Sequence, residues 1–338
     1  MRVKREDLLR QLESVQPGLS PKEIIEQSSS FVFKDGYVHT YNDEVACKQK
    51  VSVNLHGAVQ AKPLLEVLRK LNDDEITIET KDSELVVKAG KRRSTGIRMD
   101  NEIVLTIDID MPKKWKSLPD DFSDAVGIVQ HCAGKDASKF ALTCVHISED
   151  FIEACDNAQM TRFNTSIPVK KDCLIRRDSI KHLTALDMSE IAESDDWIHF
   201  RNPSGLIMSC RRFMEKYEKL DPFLKVKGEK ATLPKGLAEA ADIAQVFTQE
   251  DADHDEVSVV LKKGKITIRG EGVSGWFQET AKSTYKGKNL QFLISPKLLI
   301  EITSKHNDCI IAKEALRVDG GKFTYVTSLS QEKEKTDD

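Results

Sequence analysis

From Tyr37 to Val53 the chain alternates apolar and polar residues, breaks at a polar turn, and alternates again: YVHTYNDEVACKQKVSV. Strict alternation of this kind predicts two half-buried β-strands joined as a hairpin. The same pattern returns from Phe151, as FIEACDNAQMTRFNTSI, and from Lys265, as KITIRGEGVSGWFQETAKS, each about 114 residues after the previous one. The hairpin turns just upstream, Lys34-Asp35-Gly36, Ser148-Glu149-Asp150 and Lys262-Lys263-Gly264, keep the same step. A repeat this long is a whole small domain rather than a solenoid unit. The chain therefore reads as three tandem copies of one α+β unit.

Helical periodicity fills in each copy. Lys4 to Gln16 carries Leu8, Leu9, Leu12 and Val15 on one face and is stopped by Pro17-Gly18. Gln60 to Leu71 carries Leu64, Leu65, Leu68 and Leu71 on one face, with Lys62, Arg69 and Lys70 off it. A hairpin, EITIETKDSELVVKAG, then runs into KRRSTGIRM. The second copy repeats the order with helices expected at Asp120 to His131 and Arg176 to Met188, the third at Lys235 to Phe247 and Ser295 to His306. Asp100 to Lys116 and Glu218 to Pro234 read as extended links. The expected domains are residues 1–112, 113–228 and 229–330, followed by a charged tail, 331–338, expected to be disordered. The fold class is α+β, with helices on one face of antiparallel sheets.

Composition narrows the function classes. With 39% hydrophobic and 31% charged residues the chain looks globular, and no apolar run is long enough to span a bilayer. The amino terminus enters a helical pattern without a signal-peptide apolar region, and seven cysteines without a CxxC pair fit reduced core thiols, so a cytoplasmic location is expected. The eight histidines never approach a metal-ligand spacing, and no nucleophile-base or paired-carboxylate set stands out, so neither metal, cofactor nor enzymatic activity is expected. Gly270, Gly272 and Gly275 spell a GxGxxG, but strand-like WFQETAKSTY comes next where a dinucleotide site needs a helix, so a turn or bulge is expected. Lys91-Arg92-Arg93 fits either a contact to DNA or a subunit, or charges that protect a sheet edge. A net charge of −4 leaves any nucleic-acid binding to local charge placement.

Several stretches in order along nearly the whole chain resemble the bacterial sliding clamp of DNA replication, the β subunit of DNA polymerase III. They are KREDLLRQLESV at the start, the turns TYNDEVA and ACDNAQM, VQAKPLLEVLRKLNDDEITIE, and the closing FTYVTSL. The resemblance implies three clamp domains per chain and a head-to-tail homodimer closing a ring, helices inside and sheets outside. It implies a processivity factor that encircles duplex DNA without reading its sequence and tethers the replicative polymerase. The alternative is a clamp-derived interaction module that does not encircle DNA.

The resemblance also suggests where partners sit. The second helices of the three copies sum to about +4, the first helices to a negative charge, so Lys62, Arg69, Lys70, Arg176, Arg177, Lys181, Lys297 and Lys305 are the expected phosphate-facing cations. An edge strand around Lys88 to Met99 is expected to meet the third domain of the other chain near Val246 and Phe247. Ser94 and Gly96 stand there in place of the large apolar residues that the family pattern has. Polymerase and clamp loader would dock short peptides in a groove formed by Cys155, Asn157, Gln159 and Met160, by Pro222 and Phe223, and by Tyr325, Val326 and Leu329, with Met160, Phe223 and Leu329 as anchors. Gln159 stands where the family usually has a basic residue, and the chain continues past the family's usual end.

Overall fold

The computed structural model describes all residues except 106–108, 110, 249–255, 313 and 329–338, and also leaves out the side chains at 298, 301, 302, 304 and 305. In chain order the elements are β1 (Arg2–Lys4), α1 (Arg5–Ser14), β2 (Ser30–Lys34), β3 (Tyr37–Tyr41), β4 (Val45–Lys50), β5 (Gly57–Gln60) and α2 (Ala61–Lys70). Then come β6 (Glu75–Lys81), β7 (Glu84–Ala89), β8 (Arg93–Asp100), β9 (Lys116–Ser117), α3 (Phe122–Val129), β10 (Cys144–Ile147), β11 (Phe151–Cys155), β12 (Gln159–Asn164) and β13 (Cys173–Arg176). They continue through α4 (Arg177–Ile180), β14 (Glu190–Glu193), β15 (Trp197–Arg201), β16 (Ile207–Arg211), β17 (Glu229–Thr232), α5 (Leu237–Thr248) and β18 (Val257–Lys262). The last are β19 (Lys265–Gly272), β20 (Gly275–Lys282), β21 (Leu290–Ile294), α6 (Pro296–Lys305), β22 (Asp308–Ile311), β23 (Ala315–Asp319) and β24 (Phe323–Ser328).

Two compact units hold these elements: Met1–Asp120 with Asp178–Phe213, and Asp121–Arg177 with Met214–Asp338. The first contains a twelve-stranded sheet in the order β1-β6-β7-β8-β5-β2-β3-β4-β16-β15-β14-β9. The second contains an eight-stranded sheet, β13-β10-β11-β12-β24-β23-β22-β17, and a four-stranded sheet, β20-β19-β18-β21. The units do not coincide with the repeat, because strand pairing joins successive copies edge to edge. β4 of the first copy pairs with β16 of the second, Ile207 opposite Lys48. β12 of the second pairs with β24 of the third, Phe163 opposite Phe323.

The three recurring hairpins form as the alternation predicts. β3 pairs with β4, β11 with β12 and β19 with β20, all antiparallel. The first two turn on the same device, a side-chain oxygen closing the turn onto backbone N–H groups two and three residues on. Asn42 Oδ1 accepts from the N–H groups of Glu44 (3.2 Å) and Val45 (2.8 Å). Asp156 Oδ1 accepts from those of Ala158 (2.7 Å) and Gln159 (2.8 Å). In the third, Gly272 pairs with Gly275 across Val273 and Ser274, so the GxGxxG is a tight hairpin. Its Gly270 has a separate reason to be glycine. α5 buries a face of small residues, Ala240, Ala241 and Ala244, and a Cβ at Gly270 would lie 2.2 Å from the Ala244 carbonyl oxygen. The small-residue face lets that helix lie close against β19.

Leucine spacing forms the helices of the first copy. α1 buries Leu8 and Leu12, α2 buries Ala61, Leu64, Leu65 and Leu68, and Arg69 of α2 is ion-paired with Glu13 of α1 at 2.8 Å. Each fully buried leucine contributes roughly 1.5–3 kcal/mol. The second helix of the middle copy is shorter than its sequence pattern. Arg176 closes β13 opposite Cys144, α4 lasts four residues, and a 3-10 turn over Lys181–Ala185 replaces the rest. The apolar run Cys173-Leu174-Ile175 is buried and claimed by the sheet, and Asp187, at φ +50°, ends any helical continuation toward Met188. The second expected link contains a short strand, β17, and the first ends where another, β9, begins at Lys116. All seven cysteines are buried and unbridged. No helix among the described residues is long and apolar enough to cross a membrane.

Two histidines of the first unit are held neutral. His199 is fully buried, its Nδ1 2.8 Å from Ser209 Oγ and its Nε2 3.0 Å from Ser194 Oγ. A neutral ring donates to one hydroxyl and accepts from the other. Burial lowers its pKa to about 4. His39 is likewise lowered to about 4, by burial and then by Lys48 and Lys34. Below the ordinary histidine pKa of about 6.5 the unfolded chain takes up these protons and the folded chain does not, so stability falls as pH drops through the window from about 6.5 to 4. For His199 the loss is on the order of 3 kcal/mol by pH 4. Urea unfolding at stepped pH should show this loss, and His199→Gln should flatten it; an unchanged pH slope in the variant would assign the acid sensitivity elsewhere.

Candidate functional site

The groove of the second unit is built on the β12–β24 pair. Gln159 stands opposite Thr327, Met160 opposite Val326 and Thr161 opposite Tyr325. Because side chains alternate along a strand, this register puts Met160 and Val326 on one face and Tyr325 with Thr161 on the other. Ser328 N–H donates to the Ala158 carbonyl at 2.7 Å, carrying the pairing into the turn. The resulting cleft has a volume of about 690 Å³.

Its floor is apolar: Cys155, Met160, Leu220 and Val326 are each 7% exposed or less. Phe140, Leu142 and Ala315 stand half-buried around them, and Phe223 is 63% exposed at the mouth. The Asp156–Gln159 turn forms one end. Gln159 Nε2 donates to Asp156 Oδ2 at 3.1 Å, Tyr325 O–H donates to Gln159 Oε1 at 3.1 Å, and Lys139 Nζ donates to Asn157 Oδ1 at 2.6 Å. These bonds hold the turn from below and from the side. Burial pushes the Tyr325 phenol well above its ordinary pKa.

The opposite wall is the segment from Glu215 to Phe223, fastened at three points. Tyr217 accepts from Cys155 N–H at 2.9 Å and donates to Cys155 Sγ at 3.5 Å. Asp221 pairs with Arg162 at 2.9 Å, and that guanidinium holds its carboxyl below the ordinary range. Leu224 accepts from Arg317 Nη1 at 2.6 Å. Arg162 also pairs at 2.7 Å with Glu153, whose other oxygen lies 2.8 Å from His146 Nδ1. Glu153 is buried, and two partners offset the cost of desolvating its charge. Burial pushes the Cys155 thiol up to about 11, so it is a protonated, apolar wall at neutral pH and no nucleophile. The described residues contain no cluster of three or more metal-ligating side chains.

Of the nine residues expected here, Cys155, Asn157, Gln159, Met160, Phe223 and Val326 line the groove. Tyr325 lies beneath it as a hydrogen-bonding support, Pro222 is exposed but does not line it, and Leu329 falls outside the described residues. Phe140, Leu142 and Leu220 were not expected. The first two lie on a kinked 3-10 segment, Ala137–Thr143, just before β10, and nothing in its spacing announces a wall.

The expected phosphate-facing cations are spread over both units. Lys62 and Lys70 are exposed on α2, whereas Arg69 is engaged by Glu13. Arg177 donates to the Ala133 carbonyl at 3.2 Å, Lys181 pairs with Asp178 at 2.8 Å, and Arg176 lies 6.0 Å from the Phe140 ring. Lys297 is exposed on α6, and the Lys305 side chain lies outside those described. Among the described residues β8 pairs with β7 along its length but with β5 only at Met99 and Asp100, so Arg93 to Arg98, including the exposed Ser94 and Gly96, forms an open edge. On α5, Val246 is 61% exposed and Phe247 approaches Gly275.

Solved structures of the same architecture exist. The DNA polymerase III subunit β of Pseudomonas aeruginosa superposes with a TM-score of 0.73 at 16% identity, over 98% of this chain and 99% of that one. The fold is that of the sliding clamps. The β chain from Streptococcus pneumoniae gives 0.74 at 15% identity, again over 98% and 99%. The sliding clamp of Bartonella birtlesii, solved bound to griselimycin, gives 0.75 at 13% identity over 98% and 99%. No protein-family model matches the sequence, and a search of curated proteins finds no match.

The turn that ends the groove depends on one carboxylate. Asp156→Ala removes the acceptor of two backbone N–H groups and should cost about 1–3 kcal/mol of stability, measured by urea denaturation. Asp156→Asn, which keeps Oδ1, should recover most of it; equal losses in both would mean that the negative charge matters and the turn geometry does not.

Proposed function

We propose that this chain is a DNA sliding clamp: a non-enzymatic processivity factor that encircles duplex DNA and tethers a replicative polymerase to it. The observation that carries the reading is the correspondence of fold over 98% of this chain and 99% of the sliding-clamp chains. The reading divides the chain into clamp domains at 1–112, 113–228 and 229–330 and pairs two chains head to tail. The open edge of β8 meets Val246 and Phe247 of the other chain, since an unpaired strand edge and an exposed apolar helix face each gain by being covered. Phosphate contacts fall to the cations of the second helices, foremost the exposed Lys62 and Lys70.

The groove between the Asp156–Gln159 turn and the Glu215–Phe223 wall is the docking site for short peptides of polymerase and loader. An apolar floor with hydrogen-bonding groups at its rim suits an extended segment anchored by two or three apolar side chains.

Two measurements test the reading. Light scattering should give the mass of a dimer, and Phe247→Glu should give monomers with an unchanged circular dichroism spectrum; a monomeric parent chain would leave the clamp-derived interaction module that does not encircle DNA. A fluorescent peptide carrying a polymerase-type clamp-binding motif should bind the intact protein and lose most of its affinity in Met160→Ala, about tenfold for a buried anchor worth 1–2 kcal/mol. Equal binding by parent and variant removes the groove from the reading.

A further inference from the structure

We propose that the groove selects peptides whose apolar anchors are flanked by lysine or arginine. The inference rests on the reading of the groove as a peptide site and goes on to say which peptides. Its charged lining is unbalanced: Asp156, Glu215, Glu218 and Glu314 against Lys139 and Lys216.

The imbalance is where a bound peptide would pass. Glu215, Glu218 and Glu314 are exposed at the rim, above a floor of Met160, Leu220 and Val326. Of the two cations, Lys139 donates to Asn157 and is directed to the turn at one end of the cleft, and Lys216 is exposed on the wall beside Glu215, leaving three rim carboxylates against one rim ammonium. Glu215 and Glu218 belong to the fastened wall, whose position Tyr217, Asp221 and Leu224 hold through Cys155, Arg162 and Arg317. Their carboxylates are therefore presented from a fixed backbone. That lowers the entropy lost when an opposite charge docks.

Charge at a rim acts mainly on selection and on association rate, and salt screens it within a Debye length of about 10 Å. An acidic-flanked peptide meets like charge at the mouth, and a basic-flanked one meets partners. With two flanking pairs at exposed positions the preference is about fivefold at low salt.

The test uses the full chain and two fluorescent peptides with one shared apolar core, one flanked by lysines and one by glutamates, titrated by anisotropy at low and high salt. The lysine-flanked peptide should bind about fivefold tighter at low salt, the difference should collapse at high salt, and Glu215→Gln with Glu218→Gln should abolish most of it at low salt. Equal affinities at low salt, a preference for the glutamate-flanked peptide, or a preference that survives the double substitution would each overturn the charge inference while leaving the groove in place. If neither peptide binds, or if Met160→Ala leaves both unaffected, the groove reading fails and this inference fails with it.

Discussion

The antiparallel pairing of β12 with β24 carries the groove. It joins Gln159 through Phe163 to Phe323 through Thr327, residues about 160 positions apart, in a single register. A slip of β24 by one residue would turn Val326 away from the cleft and put Tyr325 in its place. The register is defended by several groups at once. Tyr325 reaches Gln159, Ser328 reaches Ala158, and at the far end Asn164 N–H donates to the Lys322 carbonyl at 2.8 Å. The floor is thus a property of sheet pairing, whereas the wall is a loop. That explains why the wall depends on side-chain fasteners while the floor strands rest mainly on their ladder.

The same edge-to-edge joining explains the division into units. Each copy of the repeat leaves strands whose edges the neighbouring copy covers, β4 by β16 and β12 by β24. Covering an edge with a sister copy satisfies its backbone groups and removes a template for aggregation. The copies are therefore clear in sequence but shared out in space: the middle copy gives β14 to β16 to one unit and β10 to β13 to the other. Periodicity along a chain reports which residues face a core. It does not report which strand lies alongside.

That limit sets how much of the structure is legible in the sequence. The three hairpins and five of the six expected helices come from local pattern, because alternation and the spacing of Leu64, Leu65 and Leu68 are local facts. The remaining helix is shorter than its pattern, since pairing with Cys144 claims Arg176 for the sheet, the α-helix stops at Ile180 in favour of a 3-10 turn, and Asp187 takes a positive φ that ends it. In the groove, Cys155, Asn157, Gln159 and Met160 are legible because the stretch ACDNAQM that carries them is one of those that resemble the clamp family. Phe140, Leu142 and Leu220 are not, because they reach the cleft through tertiary packing of irregular segments. Pro222 misses by one residue's worth of direction: its neighbour Phe223 lines the mouth and it does not.

Identity near 15% with a shared fold along the whole chain has a physical reading in these particulars. The architecture asks for alternation in the hairpins, for a short acceptor such as Asn42 or Asp156 at the turns, for leucine at helical spacing, and for glycine where α5 crosses β19. Many sequences meet those demands. None of them constrains the rim of the groove, where Glu215, Glu218 and Glu314 face solvent and cost the fold little whatever their charge. Core and register can therefore persist while rim chemistry drifts. On the proposed reading of the groove, specificity would reside in the exposed positions of its fastened wall.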